Sequence, residues 1–468
     1  MMRDPRRLVP PAAILSFAAA LALFWPGIAE YDSVLQYGQA LNGRYDDWHP
    51  PVMARLWSVL IAILGPGTGP MLILQLGGYV IGLALIAAAL LRHGRPQAAL
   101  AIAAIGWWPP FLGWQGVVLK DAQAIAALVA AVGIVVAYRL SGRTVPWPAR
   151  AIVAAILLYA LLARANMVFA IAPLLAGLAV TGPIRRLAIV VTVVAATLVL
   201  SPAINHRLLG AMPSGVEKTQ PFYDLAGIAA RTDGSATGFT AAEGRALVAH
   251  RCVTPFFWDR LGDAPGCGPA TVRMWRRPAG ALYGQLVMAA VSHPLAFAAH
   301  RLAHLNSTDR WWVPFRWPGA APPGGSEPND LGLAEPRGMA TEWERLAGWL
   351  AETPAGWPIA WITVAAIAIV AGWRIAGPAA VIARALLASA LALEASFAVV
   401  SIASDLRYHL WPMVATALAL VLLGRTPWRG RWRWRIVLLA VLAGVIAIGG
   451  IARIVLPPPP QSYADWMA

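Results

Sequence analysis

Charged side chains are scarce in this chain of 468 residues: Asp, Glu, Lys and Arg make up 13% of it, whereas hydrophobic residues make up 59%. A soluble domain needs more polar side chains than this to cover its surface, so the composition excludes an ordinary soluble protein. The mean hydropathy of +0.62 agrees with this. We expect an all-α polytopic membrane protein, because lipid requires every backbone polar group to be paired within the chain.

Cysteine is also rare, since the chain has only Cys252 and Cys267. Both lie in the longest polar region, where an oxidising compartment would allow a disulfide worth about 3 kcal/mol. Two unpaired thiols are the alternative, because spacing alone does not fix geometry. The sequence has no repeat of solenoid type, so an array of stacked units is not expected.

Long apolar runs are abundant. Segments of about 20 apolar residues suffice to cross a bilayer core as helices. The sequence predicts about eleven transmembrane helices, at 8–28, 71–91, 98–113, 122–138, 151–162, 167–180, 187–202, 358–373, 379–400, 410–423 and 436–454.

Arginine clusters occupy every second connection between these segments, which is the pattern of loops on the cytoplasmic side. This alternation explains the net charge of +15 better than nucleic-acid binding, so no nucleic-acid partner is expected. It predicts a cytoplasmic amino terminus in the plasma membrane. The first segment has no convincing cleavage site, and we expect it to be retained. The clusters are Arg3/Arg6/Arg7, Arg92/Arg95, Arg139/Arg143/Arg150, Arg185/Arg186, Arg374 and Arg425/Arg429/Arg431/Arg433/Arg435.

One further apolar stretch, 282–299, is long enough to span, but a crossing there would place the last arginine cluster outside. We therefore predict a helix that does not cross, within an interfacial helix near 282–304; a twelfth span is the alternative. Three regions follow: a transmembrane module at 1–204, an extracytoplasmic region at 205–355 and C-terminal transmembrane helices at 356–468. The module contains a first outer loop at 29–65, in which 53–64 is predicted to be an interfacial helix.

Polar residues interrupt the apolar sequence at several span ends, and the topology places them all on the outer side. They are Asp32 and His49 in the first outer loop, Lys120 and Asp121 before the fourth span, Arg164 and Asn166 before the sixth, and Asp405, Arg407, Tyr408 and His409 before the tenth. Charges at span ends usually face water or a cavity, so their convergence on one side of the membrane predicts a single site.

Each of these residues also has a simpler interpretation. Lys120 and Arg407 could extend to the membrane interface without any catalytic role. Asp46 and Asp47 are expected in a solvated turn, where Asp is common. Asp32 is harder to explain in this way, since it follows the first span directly. A carboxylate beside cations at a membrane surface suits transfer from a lipid phosphate, because it can take a proton while the cations stabilise the departing phosphate.

The order of these parts resembles the GT-C superfamily of membrane glycosyltransferases, which includes protein O-mannosyltransferases and the lipid A aminoarabinose transferase. The resemblance covers most of residues 8–425. It lies in "YDSVLQYGQAL" after the first span, "WHPPVMARLW", "WWPPFLGWQGVVLKD", "RAN", "SHPLAFAAHRL" and "DLRYHLWP".

The resemblance implies a sugar donor linked to polyprenyl phosphate and inverting transfer on the outer face, to a hydroxyl of a protein, lipid or glycan. Asp32 would be the catalytic base and His49 would lie near a substrate. Lys120, Arg164, Arg407 and Tyr408 would bind the donor phosphate; Asp121, Asn166 and Asp405 are further site candidates. The chain has Asp32-Ser33 where many relatives have Asp-Glu, which puts in doubt any role for a second adjacent carboxylate.

No obligatory metal or other cofactor is expected, although a divalent metal held by Asp32, Asp46 or Asp47 with His49 is possible on ligand type. A transporter or flippase of a lipid-linked or anionic solute is the main alternative function, because Arg384 and Glu394 lie within spans. Against it, no paired interrupted spans are seen in two halves of the sequence; Glu394 could simply face the helix bundle. A non-catalytic scaffold is a third possibility.

Overall fold

The computed structural model describes residues 8–179, 182–264, 266–424 and 432–467. It is about 73% helical, and the strands named within it, Tyr45–Asp46 (β1) and Ala211–Met212 (β2), pair in parallel as a two-stranded sheet. The predicted all-α class agrees with this architecture.

The N-terminal module runs from the first apolar helix to the end of α10. Its helices are α1 (Val9–Phe24), α2 (Tyr31–Asn42), α3 (Val52–Leu64), α4 (Gly69–Arg92), α5 (Pro96–Gly106), α6 (Pro109–Gly116), α7 (Lys120–Arg139), α8 (Trp147–Ala163), a 3-10 turn at Ala165–Met167, α9 (Val168–Leu178) and α10 (Pro183–Ala203), which continues as a π-helical turn at Ile204–Leu208.

Two parts follow: the region at 205–355 that was predicted to be extracytoplasmic, which we call the outer region, and the C-terminal helices. They comprise a 3-10 turn at Val216–Lys218, α11 (Thr219–Ala229), α12 (Ala241–Ala249), α13 (Arg260–Asp263), α14 (Gly268–Trp275), α15 (Ala279–Ser292), α16 (Pro294–Asp309), α17 (Gly338–Ala351), a 3-10 turn at Pro354–Gly356, α18 (Pro358–Gly372), α19 (Pro378–Val400), a 3-10 turn at Leu406–His409, α20 (Leu410–Leu423), α21 (Trp432–Val455) and α22 (Tyr463–Met467).

Six helical segments of the described residues are long and apolar enough to cross a membrane: Gly69–Arg92, Lys120–Arg139, Pro183–Leu208, Pro378–Val400, Leu406–Leu423 and Arg435–Val455. The bent helix pair Ala279–Ser292 and Pro294–Asp309 would make a seventh if the two helices form one span. The other five predicted spans coincide with shorter apolar helices, at Val9–Phe24, Pro96–Gly106, Trp147–Ala163, Ala165–Leu178 and Pro358–Gly372. The structure therefore supports a membrane protein with six or seven long candidate spans, fewer than the eleven predicted.

Two predicted helices are divided by proline. Within the run 98–113, α5 ends at Gly106 and α6 begins at Pro109. The break arises because the residue before a proline is forced towards extended backbone, and Trp108 indeed has ψ 120°. The run 282–299 is divided at His293, and α15 and α16 meet at an angle of 109°. The prediction of one continuous helix there was wrong, since Pro294 starts a new one.

The helices α4 and α7 form the most closely packed pair of the main core. A Cβ atom added at Gly82 would lie 2.4 Å from the carbonyl oxygen of Val129, and one at Gly133 would lie 2.4 Å from the carbonyl oxygen of Gly82. Only glycine allows the two backbones to approach this closely. The contact fixes the direction of α7, whose first residue is Lys120.

Arginines cap helix ends at the far end of α7 from Lys120. Arg139, the last residue of α7, donates to the carbonyl of Leu178 at the end of α9. Arg95 donates to the carbonyls of Val421 and Leu422 at the end of α20. A cation at a helix C-terminus is favourable, because the last carbonyls are unpaired and carry partial negative charge. Two of the predicted cytoplasmic clusters thus lie at one end of the bundle.

A second hydrophobic core lies in the outer region and includes Phe222 of α11, Leu247 of α12, Met274 of α14 and Leu286 of α15. A disulfide joins Cys252 to Cys267 inside it, and both residues are fully buried. The face of α15 that carries Leu282, Leu286 and Ala289 therefore packs within this core.

Candidate active site

Asp32 lies in the first turn of α2, and its neighbours hold that turn in place. The backbone N–H of Glu30 donates to the Ser33 hydroxyl oxygen over 3.1 Å. The Ser33 hydroxyl in turn donates to the carbonyl of Val118 over 2.6 Å. Ser33 is completely buried, so it attaches the start of α2 to the segment that precedes α7.

Backbone pairing brings the same two segments together. The N–H of Ile28 donates to the carbonyl of Gly116, and the N–H of Val118 donates to the carbonyl of Ile28. Lys120 follows two residues later as the first residue of α7. The pairing thus places Lys120 beside Asp32, although 88 residues separate them in sequence.

Three side chains from separate parts of the chain meet at Asp32. The Nζ atom of Lys120 lies 3.2 Å from Asp32 Oδ2, and Arg407 NH2 lies 3.6 Å from the same oxygen. His49 Nε2 lies 3.5 Å from Asp32 Oδ1, while His49 Nδ1 faces Lys120 Nζ at 2.5 Å. The side chains of Asp32 and Lys120 are each 14% exposed, so water screens these charges poorly.

Arg407 connects Asp32 to two further carboxylates. Its guanidinium forms an ion pair with Glu30 and another with Asp405, whose Oδ2 lies 3.1 Å from NH2. Lys120 and Arg407 therefore face three carboxylates within one cluster. Two cations concentrated in a poorly screened position form a site suited to an anion that can displace some of these contacts.

Arg164 and Tyr408 lie next to this group. The Arg164 guanidinium is paired with Asp121, which is almost completely buried. The same guanidinium lies over the Tyr408 ring, 4.3 Å from its centroid, and Arg407 approaches that ring at 5.5 Å. The Tyr408 ring thus lies close to two guanidinium groups, which the negative face of an aromatic ring attracts.

A segment of the outer region covers the cluster. The N–H of Leu406 donates to the carbonyl of Gly319. The N–H of Ala29 donates to the Ser326 hydroxyl oxygen, and the N–H of Glu327 donates to the carbonyl of Ala29 over 2.7 Å. The outer region therefore forms one wall of the site.

The charges around Asp32 keep it ionised. Burial opposes ionisation, but the positive charges of Lys120 and Arg407 outweigh it and hold the pKa of Asp32 well below its usual range. Glu30 behaves differently. Burial raises its pKa to about 7 against the opposing effect of Arg407, and the negative charge of Asp32 adds to the rise.

Burial and the neighbouring Lys120 charge lower the pKa of His49 to about 3. The imidazole is therefore neutral at neutral pH. Its Nδ1 can accept a hydrogen bond from Lys120, which leaves the Nε2 proton facing Asp32. His49 thus helps to fix both partners without adding charge.

The predicted site residues fall into three groups. Asp32, His49, Lys120, Arg407 and Asp405 form the central cluster described above. Arg164, Asp121 and Tyr408 form its flank. Asn166 lies in the 3-10 turn after Arg164, and its Oδ1 is buried with no hydrogen-bond partner among the described residues.

The two aspartates of the proposed turn do not join Asp32. Asp47 accepts from the Ser214 hydroxyl at 2.6 Å and pairs with His206 at 2.8 Å, so it fastens the first outer loop to the chain after α10. Asp46 accepts from the backbone N–H of Trp48. The expectation of a fully solvated turn is wrong for Asp47, because these partners replace water.

Glu30 and Ser33 were missed as site residues. Ser33 stands where the resemblance had put a second adjacent carboxylate in doubt, and Glu30 supplies a carboxylate two residues before Asp32. The available signal was the helix start itself: Glu30 and Ser33 are spaced as an N-cap residue and its N3 partner.

The chain matches no protein-family model. No curated protein is significantly similar to it in sequence. The interpretation of the site therefore rests on its geometry and chemistry.

Proposed function

We propose that the protein is a membrane glycosyltransferase of GT-C type, which moves a sugar from a polyprenyl-phosphate donor to an acceptor hydroxyl. The observation that carries the proposal is the convergence of Asp32, Lys120, His49 and Arg407 in one poorly exposed cluster. The cluster combines an ionised carboxylate with two cations, as transfer from a phosphate-linked donor requires.

The proposed reaction is a single displacement at the anomeric carbon. The acceptor oxygen forms a bond to this carbon while the bond from carbon to the phosphate oxygen breaks, which inverts the configuration. Asp32 takes the acceptor proton. Lys120 and Arg407 stabilise the charge that the lipid phosphate gains as it leaves.

Donor binding would also strengthen the base. In the structure Lys120 and Arg407 hold the pKa of Asp32 down in spite of its burial. A phosphate paired with these cations places new negative charge beside Asp32, which raises its pKa. Asp32 thereby becomes a better proton acceptor when the donor is present.

The proposed setting is the outer face of the plasma membrane, with the amino terminus in the cytoplasm. Lys120 and Arg139 lie at opposite ends of α7, a helix about 30 Å long. The site and the basic end of the bundle are thus separated by about the thickness of a hydrocarbon core. We propose about eleven spans, five of them short, and an acceptor that is a protein, a lipid or a glycan.

The contacts of the two intramembrane charges weaken the transporter alternative. Arg384 donates to the carbonyl of Ile375, so it caps the turn between α18 and α19. Glu394 pairs with His409 among buried side chains. Both residues thus have local structural partners.

The test is transfer from radiolabelled polyprenyl-phosphate sugars by the purified protein in lipid nanodiscs. We expect Asp32→Asn to reduce the rate at least about 100-fold, because loss of a general base typically costs 10²- to 10⁴-fold. Thermal unfolding of the variant should still be cooperative.

The matched control is Asp330→Asn, since Asp330 is an exposed aspartate of the outer region. It should transfer at the wild-type rate. Full activity of Asp32→Asn would refute the assignment of the base. No transfer by the wild type from any labelled donor, together with labelled-solute movement across the bilayer, would favour the transporter.

A further inference from the structure

A second cluster of ionisable side chains includes His409, which shares a 3-10 turn with Arg407 of the candidate active site. Asp309 ends α16, Glu394 lies in α19 and His409 ends the 3-10 turn before α20. Each offers one ligand atom, and these atoms lie within 4.8 Å of one another. Three helical segments thus bring two carboxylates and an imidazole together, and Asp309 is remote in sequence from the other two residues.

The cluster is buried, and one oxygen of each carboxylate has no hydrogen-bond partner among the described residues. Asp309 is 8% exposed, Glu394 4% and His409 0%. Asp309 Oδ1 and Glu394 Oε1 have no hydrogen-bond partner among the described residues. Burying an ionised carboxylate without a cation is costly, so each must either hold a proton or share a positive ion.

The nearest arginine in sequence is engaged elsewhere. Arg310 donates to the carbonyls of Trp317 and Pro318 and pairs with Glu352 at 3.6 Å. Arg301 of α16 pairs with Asp224. In the described part of the chain, the recorded ion pairs give Asp309 no partner and Glu394 only His409.

The orientation of His409 suits metal binding. Its Nε2 lies 3.0 Å from the Thr308 hydroxyl, and its Nδ1 faces Glu394 Oε2 at 2.8 Å. When Nε2 carries the proton and donates a hydrogen bond to the Thr308 hydroxyl, the lone pair of Nδ1 faces the Glu394 carboxylate. A hydrogen bond that fixes the imidazole in this way is typical of metal-binding histidines.

We propose that Asp309, Glu394 and His409 bind one divalent transition-metal ion, of which Zn²⁺ and Mn²⁺ are the natural probes. Two carboxylate oxygens and one imidazole nitrogen are ligands that such ions accept. The ion neutralises both carboxylates and replaces the missing partners. The site differs from the possible metal site at Asp32, since it shares no ligand with it.

A bound ion would join α16 of the outer region to α19 and α20. His409 lies two residues after Arg407, so the ion also fixes the turn that carries Arg407 into the active-site cluster. Its role is structural. The proposal does not depend on the transferase assignment, because it is tested by metal content and stability.

The experiment measures metal content by mass spectrometry after purification in detergent and washing with chelator, with the protein expressed in media supplemented with zinc or manganese. We expect about one ion per chain, retained through the wash because the site is buried. Asp309→Asn and Glu394→Gln should lose the ion and unfold at a lower temperature. Thr308→Val, a milder change, should lower the affinity about 10- to 100-fold.

Glu344→Gln is the matched control. Glu344 is 2% exposed and neither of its carboxylate oxygens has a hydrogen-bond partner among the described residues, but it lies outside the cluster. It should keep the metal content of the wild type. A metal-free wild type, with Asp309→Asn and Glu394→Gln as stable as the wild type, would overturn the proposal and assign the cluster to protonated acids.

Discussion

Glu30 and His49 are titratable side chains beside Asp32 whose pKa values are displaced in opposite directions by burial. The pKa of Glu30 is raised from 4.5 to about 7. The folded state therefore holds a proton that the unfolded chain releases, and stability falls as the pH rises through this window. The pKa of His49 is lowered from 6.5 to about 3, so its contribution to stability grows with pH through that window.

These two effects oppose each other between about pH 4.5 and 6.5. We expect Glu30→Gln to remove the loss of stability with rising pH that Glu30 causes. The unfolding temperature of the variant should therefore rise more steeply with pH than that of the wild type. Thermal unfolding in detergent at several pH values measures this. Glu342→Gln, at an exposed position, should follow the wild-type profile. Parallel profiles for Glu30→Gln and the wild type would contradict the assignment.

Single site residues could be predicted where a charged side chain interrupts apolar sequence. Asp32, Lys120 and Arg407 stand out because charged groups are rare near spans. Glu30 could not be distinguished from an ordinary helix-capping residue, since its role comes from Arg407, 377 positions away. Asp309 was passed over because its partners come from two other helices.

At the level of helices, the close contact of α4 with α7 depends on two glycines that face each other. We expect Gly133→Ala to destabilise the protein by about 1–3 kcal/mol, since the added methyl group would overlap the backbone of α4. Thermal or denaturant unfolding measures the loss.

Gly444→Ala in α21 is the matched control. A Cβ atom there meets nothing within 4 Å, so this change should be neutral or stabilise the helix by about 0.5–1 kcal/mol. Equal effects of the two substitutions would show that the contact between α4 and α7 is not tight.

Helix positions followed well from apolar runs, because burial in lipid or in the core requires the same residues. The predicted helix at 53–64 corresponds to α3, and each predicted span overlaps a helix of the described residues, although 98–113 is divided between α5 and α6. The breaks were harder to predict. Pro109 and Pro294 stop the helices before them, but proline within apolar sequence also occurs inside an intact helix, as Pro173 does in α9.

For the whole molecule, the orientation in the membrane can be tested with introduced cysteines. The native cysteines are joined in a disulfide and do not react with maleimides. Ser141 and Ala242 are exposed at the basic end of the bundle and in the outer region. We expect a membrane-impermeant maleimide to label Ala242→Cys in intact cells, and to label Ser141→Cys only after permeabilisation. The reverse pattern would place the Asp32 cluster in the cytoplasm.

The sequence predicted that the polar residues at span ends converge on one side of the membrane, but it did not predict which segments contact each other. Topology places the polar residues on one side, but the pairing of Ile28 with Val118 and the contact of Ala29 with Ser326 are tertiary features. They join residues that no local pattern relates. The sequence therefore indicated which residues to compare, and the packing determined their distances.

The hydrogen bonds that join the outer region to Ala29 and Leu406 have a consequence for the design of chimaeric proteins. Chimaeras that exchange 205–355 would also replace Gly319, Ser326 and Glu327, and would thereby alter the surroundings of the Asp32 cluster. A graft that keeps 319–327 from this chain preserves the hydrogen bonds to Ala29 and Leu406. Any change that such a graft causes can then be assigned to the rest of 205–355.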